Sequence, residues 1–466
     1  MTDFAAAGRV LFETPKFDIE VPVVVVGAGA AGLIAALRAH ARGRAVLVLE
    51  RDRMPRGSTA LSAGLVPAAG TRWQKAAGIA DTPDRLADDI MHKACDEPDP
   101  GLVATITNTV GLALEWLSDT HGLPFSVITN FNYPGHSVHR MHGLPTRSGA
   151  ELMDRLTRAI EDTSIDLLTE AQVTTLFAEP TTHRILGVEV VRPDGTVERI
   201  GCKALILACN GYGGNKALVA AYIPELRDAL YFGHPGNTGD AVLWGQALGV
   251  DLRHLSGHQG HGSVAEPHGI LISWATIMEG GFQVNQSGER FSNEAHGYSE
   301  QAAHVLAQPG GIAYTIFDER IAAIARQFED FRRAEDMGAI RGAADIAGLA
   351  ASISVPEARL SKTFAEVQRL KAGTGADPFG RAFAGASDLA APFRAVKVTG
   401  ALFHTQGGLM VDAEARVRLA SGAVLPNLFA AGGAATGVSG NAASGYLSGN
   451  GLISAVALGF LAGSHA

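Results

Sequence analysis

The chain has 466 residues, 47% of them hydrophobic and 18% charged, with a formal net charge of −9. That length favours two or three domains over one core, and the composition excludes a disordered chain. An acidic balance without clustered Lys and Arg excludes phosphate-backbone binding, so no nucleic-acid partner is expected. The cysteines Cys95, Cys202 and Cys209 form no CxxC, no CxxCH and no zinc spacing, which predicts no metal site and suits a reducing compartment. The first twenty residues contain no apolar h-region, and no apolar run approaches the ~20 residues of a membrane span. A cytoplasmic protein with no integral membrane segment is therefore expected.

In chain order, residues 21–26 form an all-apolar run suited to a strand buried on both faces. The turn Gly27-Ala28-Gly29-Ala30-Ala31-Gly32 follows. Its first glycine permits the tight turn, its second lets a pyrophosphate approach the backbone, and its third lets the next helix pack closely. The helix then presents free N–H groups and a positive dipole end. A second strand over 45–49 ends in Glu50, a carboxylate placed to accept from ribose hydroxyls. Next comes "RDRMPRGSTALSAG", a loop of small residues including Gly57, Ser58, Thr59, Ser62, Ala63 and Gly64, able to pass close to a flat ring and its phosphates.

In the middle of the chain, 256–394 changes character and contains helical stretches such as "SVPEARLSKTFAEVQRLKAG". There Pro356 suits a first helical position and Gly373 a C-terminal stop. Beyond 395 the β runs and glycine turns return. "LPNLFAAGGAATGVSGNAASGYLSGNGLISAVALGFLAG" reads as strand, glycine-rich loop and a helix starting near 449–451. The N–H groups of that helix suit the electron-rich end of a reduced flavin.

With "ALILACNGYGGN", "GNTGDAVLWGQALG", "VNQSGERFSNE", "DPFGR", "HTQGGLMVD" and "LFAAGG", the sequence resembles the fumarate reductase/succinate dehydrogenase flavoprotein superfamily over nearly its whole length, most closely the 3-ketosteroid dehydrogenase branch. The resemblance implies an α/β fold with an α+β cap. A Rossmann-like FAD-binding domain is built from both chain ends, 1–255 and 395–466, with a smaller cap/catalytic domain inserted at 256–394. The active site is then expected between the two, over the flavin. The residues implied to hold FAD are Gly27, Gly29, Ala30, Ala31, Gly32, Glu50, Arg51, Ser58, Thr59, Ser62, Ala63, Gly64, Val173, Asn210, Gly211, Asp240, Gly432, Gly433, Ser448, Gly449 and Leu452. No histidine lies in "GSTALSAG", where the succinate dehydrogenase branch attaches its flavin, so the FAD is expected to be non-covalent. No second GxGxxG opens a βαβ unit, which argues against a built-in NAD(P)H domain.

Fumarate reductases carry a proton-delivering arginine where this chain has Tyr298, and a carboxylate-clamping arginine where it has Tyr446. Ketosteroid dehydrogenases carry tyrosines at both places. The resemblance thus implies a desaturase that removes two hydrogens alpha and beta to a ketone, in a steroid or a smaller cyclic ketone. Tyr298 is the base, with His296, Tyr133 or a nearby histidine as relay. Tyr446, helped by Ser448, donates to the carbonyl oxygen, and hydride passes to flavin N5. His404 matches the substrate-binding histidine of fumarate reductases and suits a carbonyl or carboxylate oxygen. Arg290 and Glu294 are expected to brace the catalytic loop, and His139, His142, His254, His258 and His261 to be packed or solvated. The partners are a small-molecule ketone and an unidentified electron acceptor; a homo-oligomer is compatible. The alternatives are an ene-reductase of an unsaturated acid and a flavoprotein subunit of an electron-transfer complex.

Overall fold

The run IEVPVVVV at Ile19–Val26 has four successive valines with almost no solvent exposure, as a central strand requires. In the computed structural model, which describes residues 8–130, 132, 133, 135–383 and 386–466, this strand pairs in parallel with Val46–Leu49 on one side and Val197–Leu207 on the other. The C-terminal strand Val424–Ala430 pairs in parallel with Val197–Leu207. The register aligns the carboxyl ends: Val26 lies opposite Leu49 and Leu207, and Leu207 opposite Ala430. The loops after all four strands therefore open at one edge of a nine-stranded sheet, where open α/β sheets place their ligands.

Helix Ala30–Ala41 covers the sheet and is itself crossed by the C-terminal helix Asn450–His465. The two touch through small residues. A Cβ on Gly459 would lie 2.6 Å from the Ala31 carbonyl, and one on Gly463 2.2 Å from that of Ala35. This close approach fixes the start of the C-terminal helix relative to the glycine turn.

The chain forms two compact units. The first comprises the chain through Tyr222, Gly233–His258 and His404–Ala466; the second comprises Ile223–Phe232 and Gln259–Phe403. These edges differ from those expected at 255/256 and 394/395. The physical reason is the strand Phe393–Thr405, which pairs with Ile312–Asp318 from residue 393 to 399 and with Leu230–Tyr231 at 401 and 402. A boundary at 395 would cut through this ladder, and the second pairing draws 223–232 into the second unit. The second unit's seven-stranded sheet is packed on Phe331, Leu349, Leu360 and Val367 from its helices. Helix Glu357–Lys371 begins one residue later than expected, with Pro356 as its N-cap, while Gly373 takes a positive φ of 75° just past its end. No helix among the described residues is long and apolar enough to cross a membrane.

Candidate active site

The glycine turn in the first unit is built as its spacing requires. Gly27 has a φ of +100°, and a Cβ on Gly32 would lie 1.8 Å from the Gly27 carbonyl oxygen. Any side chain at 32 would push the helix off the turn. Gly29 is the N-cap of that twelve-residue helix, with Ala30 and Ala31 in its first turn. Glu50 accepts from the backbone N–H of Ala28 at 2.8 Å and of Asp52 at 2.9 Å, which locks the strand end to the turn. The small-residue loop folds as a short helix, Gly57–Ala60, against the same turn, and the Thr59 hydroxyl accepts from the Ala30 N–H at 3.2 Å. Ser58 accepts from the Asn237 side chain at 2.8 Å, Ser62 bridges Thr59 and Gly64, and Ala63 is exposed. Gly64 takes a positive φ of 64° against the Ser148 carbonyl.

Two further loops reach the same edge. Asn210 takes a positive φ of 64°, accepts from the Gly211 N–H at 2.8 Å, and lies where a Cβ on Gly433 would be 2.2 Å from its Oδ1. Gly432 faces Ala31 and Ala455. Arg51 lies across Gly236. Asp240 opens helix Asp240–Leu248; one carboxylate oxygen accepts from the Thr238 hydroxyl at 3.0 Å, and the other is buried without a hydrogen-bond partner. Burial raises the Asp240 pKa against the opposing pull of Thr238 and Arg51. Val173 belongs to the core of strand Gln172–Ala178, and Leu452 lies in the first turn of the C-terminal helix, partly buried against that core. Gly449 caps that helix with a φ of +92°.

Tyr446 and Ser448 precede this cap and are both buried. The Tyr446 ring meets His404 edge-on, centroids 5.4 Å apart. Burial lowers the His404 pKa to about 4, so the imidazole is neutral. The Ser448 carbonyl accepts from His136 Nε2 at 2.9 Å, which ties the 135–140 segment to the loop. Tyr133 lies partly buried against Leu65, Ile128 and Met141, and burial raises its pKa. The buried Arg140 is held by Asp81 at 3.1 Å and Asp89 at 2.9 Å.

In the second unit, Tyr298 is the first residue of helix Tyr298–Leu306. That helix lies on strands His258–Ala265 and Phe393–Thr405 because both carry glycine at the contact. A Cβ on Gly260 would be 2.6 Å from the Ser299 carbonyl, and one on Gly400 2.3 Å from that of Ala302. The preceding loop is anchored by buried charge. Arg290 binds Glu294 through two nitrogens at 3.0 and 2.9 Å and also pairs with Asp377; Arg381 binds Glu294 at 3.1 Å and the carbonyls of Gly281 and Ile277. Asn293 closes the turn by accepting from Ala295 N–H at 3.0 Å. His296 ends a short 3-10 helix and is exposed.

The ring packed on Tyr298 is His261, set only among the packed histidines by sequence. Its centroid is 5.1 Å from that of Tyr298 at 21°, and it stacks on Phe403 at 5.4 Å, which stacks on Phe232 at 4.9 Å. Trp274 meets both His261 and Tyr298 edge-on. Burial lowers the His261 pKa to about 3, so this ring too is uncharged. The pairing of His261 with Tyr298 left no local pattern, because it depends on how the helix lies on the sheet.

Residues 22–452 match the family model described as FAD binding domain. A probable fumarate reductase of Shewanella frigidimarina is 30% identical over 444 residues, covering 95% of this chain and 74% of that protein. The chain spans about half, 47%, of an NADH:fumarate oxidoreductase of Klebsiella pneumoniae, to which it is 28% identical over 95% of its own length. Among solved structures, the open conformation of a flavocytochrome c3 fumarate reductase superposes with a TM-score of 0.83 at 28% identity, covering 96% of this chain and 78% of that one. A 3-ketosteroid-delta4-(5alpha)-dehydrogenase from Rhodococcus jostii RHA1 shares the fold, with a TM-score of 0.77 at 24% identity over 98% of this chain and 99% of that one.

Proposed function

The chain belongs to the FAD binding domain family and is an FAD-dependent oxidoreductase, and from that premise we propose that it desaturates a neutral ketone, removing one hydrogen from each of the carbons alpha and beta to the carbonyl. The residues at the strand ends suit the cofactor. The turn leaves no room for a Cβ at position 32, the N-terminus of helix Ala30–Ala41 faces it, and the partnerless oxygen of Asp240 is an acceptor for a hydroxyl such as that of a ribityl chain. Non-covalent attachment agrees with the absence of histidine over 57–64. FAD, when bound, supplies the two-electron acceptor that takes the beta hydrogen as hydride.

What carries the reading is the kind of ring that packs on each phenol. Tyr298 packs on a histidine that stays uncharged, and so does Tyr446. Arg290 and Arg381, which anchor the loop before Tyr298, are committed to Glu294 and Asp377, and Arg140 to Asp81 and Asp89. A dicarboxylate calls for cationic, preferably bidentate partners. A ketone calls for neutral donors that stabilise the developing oxyanion, each contributing roughly 3–4 kcal/mol in comparable sites. In this reading the Tyr298 hydroxyl takes the alpha proton. The Tyr446 hydroxyl and His404 donate to the ketone oxygen, with Ser448 in support.

The reverse reaction, reduction of an unsaturated acid, is favoured by one observation: the relatives named fumarate reductase are more similar in sequence than the ketosteroid dehydrogenase. Anaerobic titration of the purified yellow protein separates the two. Bleaching by saturated steroids or small cyclic ketones is expected. Reduced protein that is reoxidised by fumarate but not by an enone, with no bleaching by any ketone, would overturn the desaturase reading.

A further inference from the structure

Behind His404 runs a line of buried polar side chains that the proposed chemistry leaves unused. Gln406 Nε2 lies 2.9 Å from His404 Nδ1. Gln406 Oε1 accepts from the Ser439 hydroxyl at 2.7 Å, and Ser439 Oγ in turn accepts from Asn450 Nδ2 at 2.8 Å. Gln406, Ser439 and Asn450 are all buried, while His404 keeps partial access to solvent. We infer that Asn450, Ser439 and Gln406 form a directional hydrogen-bond relay that holds His404 as the tautomer protonated on Nε2, so that it meets a ligand as a neutral donor.

The direction follows from proton counting. A serine hydroxyl has one proton; Ser439 spends it on Gln406 and must accept from Asn450. The Gln406 oxygen is thereby occupied, its NH2 faces the imidazole, and Nδ1 must be the bare nitrogen. At the far end, Asn450 Oδ1 is buried without a partner. Running the relay the other way would turn the Asn450 amide and put its two N–H groups where a single acceptor now goes unpaired, which is the costlier arrangement. The proton-bearing edge of His404 is left open by glycine. A Cβ on Gly451 would lie 3.1 Å from Nε2 and 2.9 Å from Cε1, in the first turn of the C-terminal helix. The neutral imidazole agrees with the lowered pKa of His404.

Gln406 and Asn450 are thus positioning residues. Their effect on turnover rests on the carbonyl-binding role given to His404 above, but the tautomer itself does not. The test is NMR of the full-length holoprotein labelled with heavy nitrogen in its histidine rings, with His404→Gln identifying the His404 signals. Near neutral pH the wild type is expected to show a single tautomer protonated on Nε2. Gln406→Glu offers only acceptors, so it is expected to move the proton to Nδ1 or to charge the ring. It should raise the KM of any bleaching ketone about tenfold, the worth of one such hydrogen bond, with flavin content unchanged. A wild-type His404 protonated on Nδ1, or a Gln406→Glu spectrum identical to wild type, would overturn the relay. Should the tautomer behave as expected while no ketone bleaches the flavin, the relay stands and the desaturase reading falls.

Discussion

In the first unit the phenol of Tyr446 hangs on glycine-rich backbone, three residues before a helix cap, with an uncharged hydrogen-bonded relay beneath its histidine neighbour. In the second unit Tyr298 stands at a helix start whose approach loop is pinned by two buried arginines and two buried carboxylates. One site is shaped by backbone passing close to backbone; the other is shaped by charge. The difference matters because glycine contacts fail by steric clash and cannot relax, whereas an ion network fails by stranding a charge. The two kinds of damage should separate experimentally.

The largest effect is expected from Gly32→Val, whose Cβ would sit within bonding range of the Gly27 carbonyl oxygen. Loss of bound flavin, measured by absorbance per mole of protein, together with loss of soluble protein, is the expected result. A yellow, stable variant would show that the turn is not the cofactor's seat. Tyr298→Phe should lower the rate of flavin bleaching by a saturated ketone about a hundred- to ten-thousand-fold, leaving flavin content and Tm unchanged. Unchanged kinetics would remove Tyr298 from the chemistry. Glu294→Ala leaves Arg381 buried without its carboxylate and Arg290 with Asp377 alone, and should destabilise the protein by about 3–5 kcal/mol. Thermal melts followed by circular dichroism would measure this, and a near-neutral outcome would mean that the loop is held by its backbone after all.

Acidification is expected to act on both units, its effect accumulating over four buried rings. Burial holds His136, His142 and His404 in the first unit at pKa values of about 4, and His261 in the second at about 3. Unfolded histidine takes up its proton near 6.5. Between about 6.5 and 4 the unfolded chain therefore binds more protons than the folded one, and stability falls as pH falls. Tm should drop across that window, and His142→Gln should flatten the slope, since three of the four groups lie in the first unit. A Tm independent of pH over the window would contradict the buried, neutral state of these rings.

The strand–turn–helix unit at 19–41 was legible because every requirement in it is local: four valines in a row, glycine where φ is positive, glycine where a helix touches a carbonyl. The helix at 450–465 was legible for the same reason, and the charge bracing of the loop before Tyr298 was half legible, since Arg290 and Glu294 lie four residues apart in the chain while Asp377 and Arg381 lie far from both. The edges of the compact units differ from the expected boundaries because a strand of thirteen residues, Phe393–Thr405, pairs with segments far apart in sequence. His261 was read as one packed histidine among several, because nothing near it in the chain marks a partner at 298.

From the residues alone came the cofactor class, because glycine spacing is a property of short segments; that Tyr298 and Tyr446 stand where fumarate reductases carry cations is what the resemblance implies. Only the folded chain decided which rings flank those phenols, which arginines are already neutralised, and which nitrogen of His404 carries the proton. Those outcomes depend on sheet register and on helices crossing at glycine, where a shift of a single residue would exchange every neighbour.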